Sequence, residues 1–216
     1  MTPSSPPTGL CLIAEVREGH DGLARTEEAL AATGATTLIV TAPAETVIDA
    51  EAAGTLVRMA QAGNVAALIR DDWRTARTLK ADGVHLGPRA DIDEAYRAAR
   101  AGLAPGTIVG VDAGTSRHDA MMLGEAGADY VAFARAGDDA EAETALAEIL
   151  AWWSEVFVIP VVAFGVATAE EAARLVKAKP DFLAVPIPEE GEIAPWAEAL
   201  KAALTRSPSP APGAAT

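Results

Sequence analysis

Aromatic side chains make up only 5% of this 216-residue chain, and it holds a single cysteine, Cys11. One thiol closes no internal disulfide, which excludes a small disulfide-stapled scaffold. Set in the apolar run Leu10-Cys11-Leu12-Ile13-Ala14, it is expected to be buried and inert. Positive charge is also scarce, with 17 Lys and Arg against 31 Asp and Glu and a formal net charge of -14. Binding a phosphate backbone or an anionic bilayer needs clustered Lys and Arg, so the expected partners include no nucleic acid and no membrane. No run approaches the roughly 18 apolar residues that span a bilayer. Residues 1–9 carry neither a basic start nor the apolar core of a secretory leader, so a cytoplasmic location is expected.

What the chain does have is a short, regular alternation. Half of its residues are apolar. Strand-like runs fall at Leu10–Glu15, Thr36–Thr41, Ala66–Ile69, Gly83–Leu86, Ile108–Asp112, Tyr130–Phe133, Ile159–Phe164 and Phe182–Pro186. Between them, apolar residues recur every three or four positions over Leu23–Ala32, Val47–Ala62, Trp73–Lys80, Ile92–Ala101, Ala120–Ala126, Ala140–Trp153, Ala169–Ala178 and Ile193–Leu204, which predicts amphipathic helices. Gly34, Gly63, Gly102 and Gly127 stand where helices should stop, and Thr168 with Glu171 makes a capping-box start. Nearly continuous apolar strands suit a parallel sheet buried on both faces, so the expected fold class is α/β, a single-domain (β/α)8 TIM barrel. A doubly wound open sheet is the runner-up, but no G-x-G-x-x-G follows the first strand. The expected organisation is a disordered tail over 1–9, the barrel over 10–205, and a disordered Pro/Ala-rich tail over 206–216.

In such barrels the chemistry sits on loops at the C-terminal ends of the strands. Those positions give Glu15 and Arg17 after the first strand, Thr41 after the second, Arg70-Asp71-Asp72 after the third, and Pro88-Arg89-Ala90-Asp91 after the fourth. The later strands contribute Asp112 to Ser116, Arg135 to Asp138, Gly165-Val166 and Pro186 to Glu189. Hard carboxylate oxygens plus substrate phosphates suit Mg²⁺. Asp72 and Asp91 read equally well as solvated loop residues or helix caps, and Asp71 is the better ligand candidate. Arg70, Arg89 and Arg135 would keep a local positive patch for a small phosphorylated metabolite, or form ordinary surface ion pairs. Gly114-Thr115-Ser116 and Gly165 could present backbone donors to a phosphate. His85 lies inside a strand and reads as a hydrogen-bonded core histidine; His20 and His118 read as exposed. Trp152 and Trp153 point about 100° apart on one helix, so one is expected to pack inward while the other is freer, available as a homodimer contact.

The segment Val65 to Gly87, with Asp71-Asp72 and Lys80-Ala81-Asp82-Gly83-Val84-His85-Leu86-Gly87, resembles the third-to-fourth-strand signature of thiamine-phosphate synthase and its thiazole tautomerase relatives. Further likenesses are Val109-Gly110-Val111, Glu125 to Val131, and Ile159-Pro160-Val161-Val162-Ala163-Phe164-Gly165. The resemblance implies a barrel that joins hydroxymethylpyrimidine diphosphate to a thiazole phosphate with Mg²⁺. It places Asp71 on a metal ligand, while the second metal aspartate falls on Ala90, one place before Asp91.

Several family contacts are changed. The usual Asn before Asp71 is Arg70. The strand-two Q-x-R-x-K is Ile39-Val40-Thr41-Ala42-Pro43, and Asp112 and Gly114 stand where G-x-S-x-H has Ser and His. The Gly-Gly loop after strand seven keeps only Gly165. Losing two strand-two cations removes charge-assisted hydrogen bonds worth roughly 1.5–3 kcal/mol each. The expectation is therefore a thiamine-phosphate-synthase-like barrel with weak or lost synthase activity. The substrate-binding set would be Arg70, Asp72, Arg89, Asp112, Gly114, Arg135 and Gly165, and the metal set Asp71 and Asp91. The alternatives are a non-catalytic ligand-binding or regulatory barrel, or an enzyme acting on another phosphorylated small metabolite.

Overall fold

The structure, a computed structural model, describes residues 8–16, 21–43 and 46–205; Arg17, His20 and nearly all of both expected tails lie outside that set. Strands and helices alternate as β1 (Gly9–Glu15), α1 (Asp21–Thr33), β2 (Thr37–Thr41), α2 (Ala50–Ala62), β3 (Ala66–Arg70), α3 (Trp73–Leu79), β4 (Gly83–Leu86) and α4 (Ile92–Gly102). The second half runs β5 (Ile108–Asp112), α5 (Arg117–Glu125), β6 (Tyr130–Ala134), α6 (Ala140–Val156), β7 (Val161–Phe164), α7 (Ala169–Leu175), β8 (Phe182–Pro186) and α8 (Ile193–Thr205). All neighbouring strands pair in parallel and β8 returns to β1, so the sheet closes into the expected eight-stranded barrel.

Because side chains alternate across a strand, one set fills the lumen and the other faces the helices. The lumen set includes Cys11, Ile39, Leu68, Ala132, Val162, Phe164 and Ala184; the larger outer set packs the helices onto the barrel. Three lumen positions are glycine because a bulky neighbour in register already fills the space. A Cβ on Gly9 would lie 2.6 Å from the Phe182 ring and on Gly110 1.9 Å from Tyr130 Cζ, while on Gly83 it would lie 2.2 Å from the Ile108 carbonyl oxygen and 2.6 Å from its Cβ. Cys11 is buried there, and desolvation pushes its thiol up to about 12, which makes it unreactive.

The lower rim is fastened by three aspartates, each standing just before an even-numbered strand. Asp82 accepts from the Ala67 N–H, Asp129 from Val109 and Asp181 from Val161, all at 2.8 Å. Each aspartate also donates its own N–H to the carbonyl of the same residue. Two bonds per aspartate thus tie the start of one strand to its neighbour.

Helix starts follow their caps. Asp49 accepts from the Glu51 and Ala52 N–H groups, which begins α2 at Ala50 rather than near Val47 and leaves Val47 91% exposed. The Thr168–Glu171 capping box is complete. Strand β7 begins later than the apolar pattern suggests, at Val161. Pro160 has no N–H for a ladder, and the Ile159 carbonyl accepts from the Trp153 indole instead, at 2.9 Å. Trp153 is fully buried, whereas Trp152 stays partly exposed with the Arg117 guanidinium 4.5 Å from its ring centre.

Candidate active site at the barrel mouth

Residues continuing the lumen parity upward emerge at the mouth: Thr41 two places beyond Ile39, Arg70 two beyond Leu68, and Asp112 two beyond Gly110. Arg70 pairs in register with His85 on β4. Its guanidinium lies above Gly87, where an added Cβ would be 3.0 Å from Nη2. Asp71 occupies the left-handed backbone region at φ 59°, which is uncommon for a residue with a side chain. The turn is held by the Asp71 N–H donating to the His85 carbonyl at 2.9 Å, and it aims the carboxylate back over β4. There Asp71 Oδ1 accepts from the Gly87 N–H at 2.8 Å and Oδ2 lies 3.4 Å from Arg70 Nε.

Asp72 points the other way and caps α3, accepting from the Arg74 and Thr75 N–H groups at 3.0 Å and from the Thr75 hydroxyl at 2.6 Å. Burial raises its carboxyl, but those hydrogen bonds and the Arg74 charge outweigh it and leave the group below its ordinary value. Asp91 stands at the start of α4 without capping it, because its carboxylate takes the Arg89 Nε–H at 2.7 Å. That hydrogen bond holds the Asp91 carboxyl down and raises Arg89, which also feels Asp71.

Asp112 is 2% exposed and accepts from the Gly114 N–H at 2.7 Å, with Gly114 in the left-handed region at φ 59°. Burial pushes its carboxyl up to about 6, against the opposing pull of the Gly114 N–H and Arg70. Beneath this level His85 is fully buried, with Nδ1 2.9 Å from the Tyr130 hydroxyl and its ring stacked on Phe164 at 4.6 Å. Burial, with Arg70 nearby, lowers it to about 3, so the imidazole is neutral at physiological pH. Its Nε2 is buried with no hydrogen-bond partner among the described residues. His118 is exposed on α5, as the sequence suggested.

The structure thus gathers Arg70, Asp71, Arg89, Asp91 and Asp112 into one electrostatic group at the ends of β3, β4 and β5. Arg135 and Gly165 belong to a second group, on the β6–β7 side. Arg135 pairs with Glu171 at 2.9 Å and Asp138 at 3.3 Å. Its side chain runs across Gly165 (φ 80°), where a Cβ would meet Arg135 Cγ at 3.2 Å. Glu171 also accepts from the Ala167 and Thr168 N–H groups at 2.7 and 3.1 Å. Val166 turns outward into the core beneath the helices and is not in the lumen set.

A cavity of about 800 Å³ opens between the ends of β1, β2 and β3, lined by Ile13, Glu15, Thr41 to Pro43, Thr46 to Ile48, Arg70 to Asp72 and Arg74. Arg74 is a wall residue that the strand-end pattern misses; it lies four places beyond Arg70, and only its position on the first turn of α3 hinted at it. Glu171 was legible as a cap but not as the partner of Arg135. Arg25 on α1 is likewise a surprise, donating to the carbonyls of Pro188, Glu190 and Gly191 and holding the loop after β8.

Asp71 and Asp91, the expected Mg²⁺ ligands, are both engaged by other groups of the chain. Among the described residues no group of three or more His, Cys, Asp or Glu is placed to hold a metal ion. Asp71 lies 3.4 Å from Arg70 Nε and Asp91 2.7 Å from Arg89 Nε, so a dication at either carboxylate would have to compete with a guanidinium.

Comparison with known proteins adds a lineage to this geometry. The sequence model described as thiamine monophosphate synthase matches residues 10–186. The chain belongs to the thiamine monophosphate synthase family. Among family members, a thiamine-phosphate synthase of Erythrobacter litoralis is 46% identical over 129 residues, covering 57% of this chain and 59% of that one. One of Rhodospirillum centenum is 45% identical over 130 residues, covering 59% and 61%. The matched region therefore spans about three-fifths of those relatives' length. The solved thiamine phosphate pyrophosphorylase of Pyrococcus furiosus superposes with a TM-score of 0.71 at 24% identity, over 91% of this chain and 95% of that one, which supports the fold. Within the family barrel, the mouth described above lies where strand-end residues do chemistry.

Proposed function

We propose that this family member is a thiamine-phosphate-synthase-like barrel whose mouth binds a small phosphorylated metabolite and whose synthase turnover is weak or lost. The observation that carries the reading is the end of β2. Thr41, Ala42 and Pro43 line the cavity without a cation of their own, leaving Arg70 and Arg74 against Glu15, Asp71 and Asp72. A leaving diphosphate needs concentrated positive charge as the bond breaks. Two guanidiniums set among three carboxylates supply little of it. Of the other described cations near the mouth, Arg89 is engaged by Asp91 and Arg135 by Glu171.

Incubating the purified chain with hydroxymethylpyrimidine diphosphate, thiazole phosphate and Mg²⁺ tests the reading. Little or no thiamine phosphate, together with measurable binding of a phosphorylated ligand, supports it; turnover of several per second refutes it. The reading includes a cytoplasmic homodimer that uses the Trp152 face, where Val156 and Val158 are 60% and 100% exposed. A monomer at all concentrations in sedimentation would remove that part.

A further inference from the structure

The carboxylates at the ends of β3 and β4 already have positive partners, supplied by the chain. We propose that the Arg70 guanidinium is the built-in counter-cation of this mouth, holding the place a divalent ion would take, so that ligands are received without a metal. The inference rests on reading the mouth as the ligand site.

The geometry is specific. Above Gly87, an added Cβ would lie 3.0 Å from Arg70 Nη2, 3.3 Å from Arg70 Nε and 3.1 Å from Asp71 Oδ2. Guanidinium and carboxylate therefore share one small space, which exists because position 87 has no side chain. The second Asp71 oxygen is taken by the Gly87 N–H at 2.8 Å. Beside them Arg89 holds Asp91 at 2.7 Å. Asp112, buried at the end of β5 and hydrogen-bonded to the Gly114 N–H at 2.7 Å, completes the group.

A Mg²⁺ ion needs near-octahedral oxygen coordination at about 2.0–2.1 Å. Entering here, it would have to expel a guanidinium tethered to the same chain, or stand beside two of them. A tethered guanidinium costs no capture from solution, is charged at every working pH, and presents a planar fork to carboxylate or phosphate oxygens. An anionic ligand would then meet Arg70 directly, with Asp71 as the group it competes against.

The test uses Mn²⁺, a paramagnetic stand-in for Mg²⁺ whose free-ion signal disappears on binding, with the full chain. The wild type should leave the signal unchanged up to millimolar protein. Arg70→Asn, or Arg70→Gln if the first variant fails to fold, should tighten Mn²⁺ binding at least about tenfold. Adding Asp71→Asn should abolish the gain. Mn²⁺ binding by the wild type that depends on Asp71, no gain in either Arg70 variant, or a gain that survives Asp71→Asn would each overturn the proposal. Synthase turnover by the wild type would refute the proposed function while leaving the Mn²⁺ result to decide this one.

Discussion

Replacing Asp112 with asparagine should make the protein more stable at neutral pH and progressively less so towards acid. The folded chain raises this carboxyl from 3.8 to about 6, chiefly by burial. Between those values the folded state keeps a proton that the unfolded state has lost, so stability falls as pH rises through the window and stays reduced above it. At about 1.4 kcal/mol per pH unit, the ionised carboxylate costs about 3 kcal/mol at pH 7.5 and roughly half of that at pH 5. Asparagine keeps an oxygen for the Gly114 N–H and carries no charge, though its buried amide donors cost about 1 kcal/mol. The net gain at pH 7.5 is then about 2 kcal/mol, or about 4–8 °C in melting temperature for a domain of this size. Urea and thermal melts of both proteins at pH 5 and pH 7.5 measure it. A stability difference that does not change with pH, or a variant weaker at pH 7.5, would refute the reasoning. A buried charge kept at such a cost suits a ligand-facing group better than a structural one.

Gly110→Ala forces a methyl to within 1.9 Å of the Tyr130 ring, whose hydroxyl is tied to His85, and should lower urea stability by about 1–3 kcal/mol or more. Arg135→Met removes a largely enclosed ion pair with Glu171 and should cost about 1–3 kcal/mol by the same measurement, with faster hydrogen exchange over 165–168. Arg25→Met should speed exchange in residues 187–191 while changing global stability by less than about 1 kcal/mol, because the bonds lost brace one surface loop.

Apolar alternation made the barrel legible, since Leu12, Leu38, Ile69 and Val84 could only be doubly covered strands, and the Thr168–Glu171 pair announced its helix. The strand-end rule likewise located Arg70, Asp71 and Asp112. What it could not supply was pairing across space. Arg135 meets Glu171 36 residues away, and Asp71 turns into the left-handed region because the His85 carbonyl receives its N–H. Neither fact is local in sequence. The expected metal reading of Asp71 and Asp91 came from residue type, strand-end position and the family resemblance; the guanidiniums beside both carboxylates became visible only when their side chains had positions. His85 shows the opposite case, a strand histidine whose core role was plain but whose unpartnered Nε2 was not.

The aspartate fastenings of the lower rim have a consequence for how the chain can be cut. Each joins residues only 15 or 20 positions apart, within the pairs β3–β4, β5–β6 and β7–β8. A circular permutant opened in the segment 103–107 leaves all three ties inside short continuous stretches. One opened between β3 and β4 sends the Ala67–Asp82 tie to opposite ends of the polypeptide, and each doubling of the loop it closes costs about 0.6 kcal/mol. The ties thus group six of the eight strands into two-strand units, and tolerance to new termini should alternate over that part of the ring.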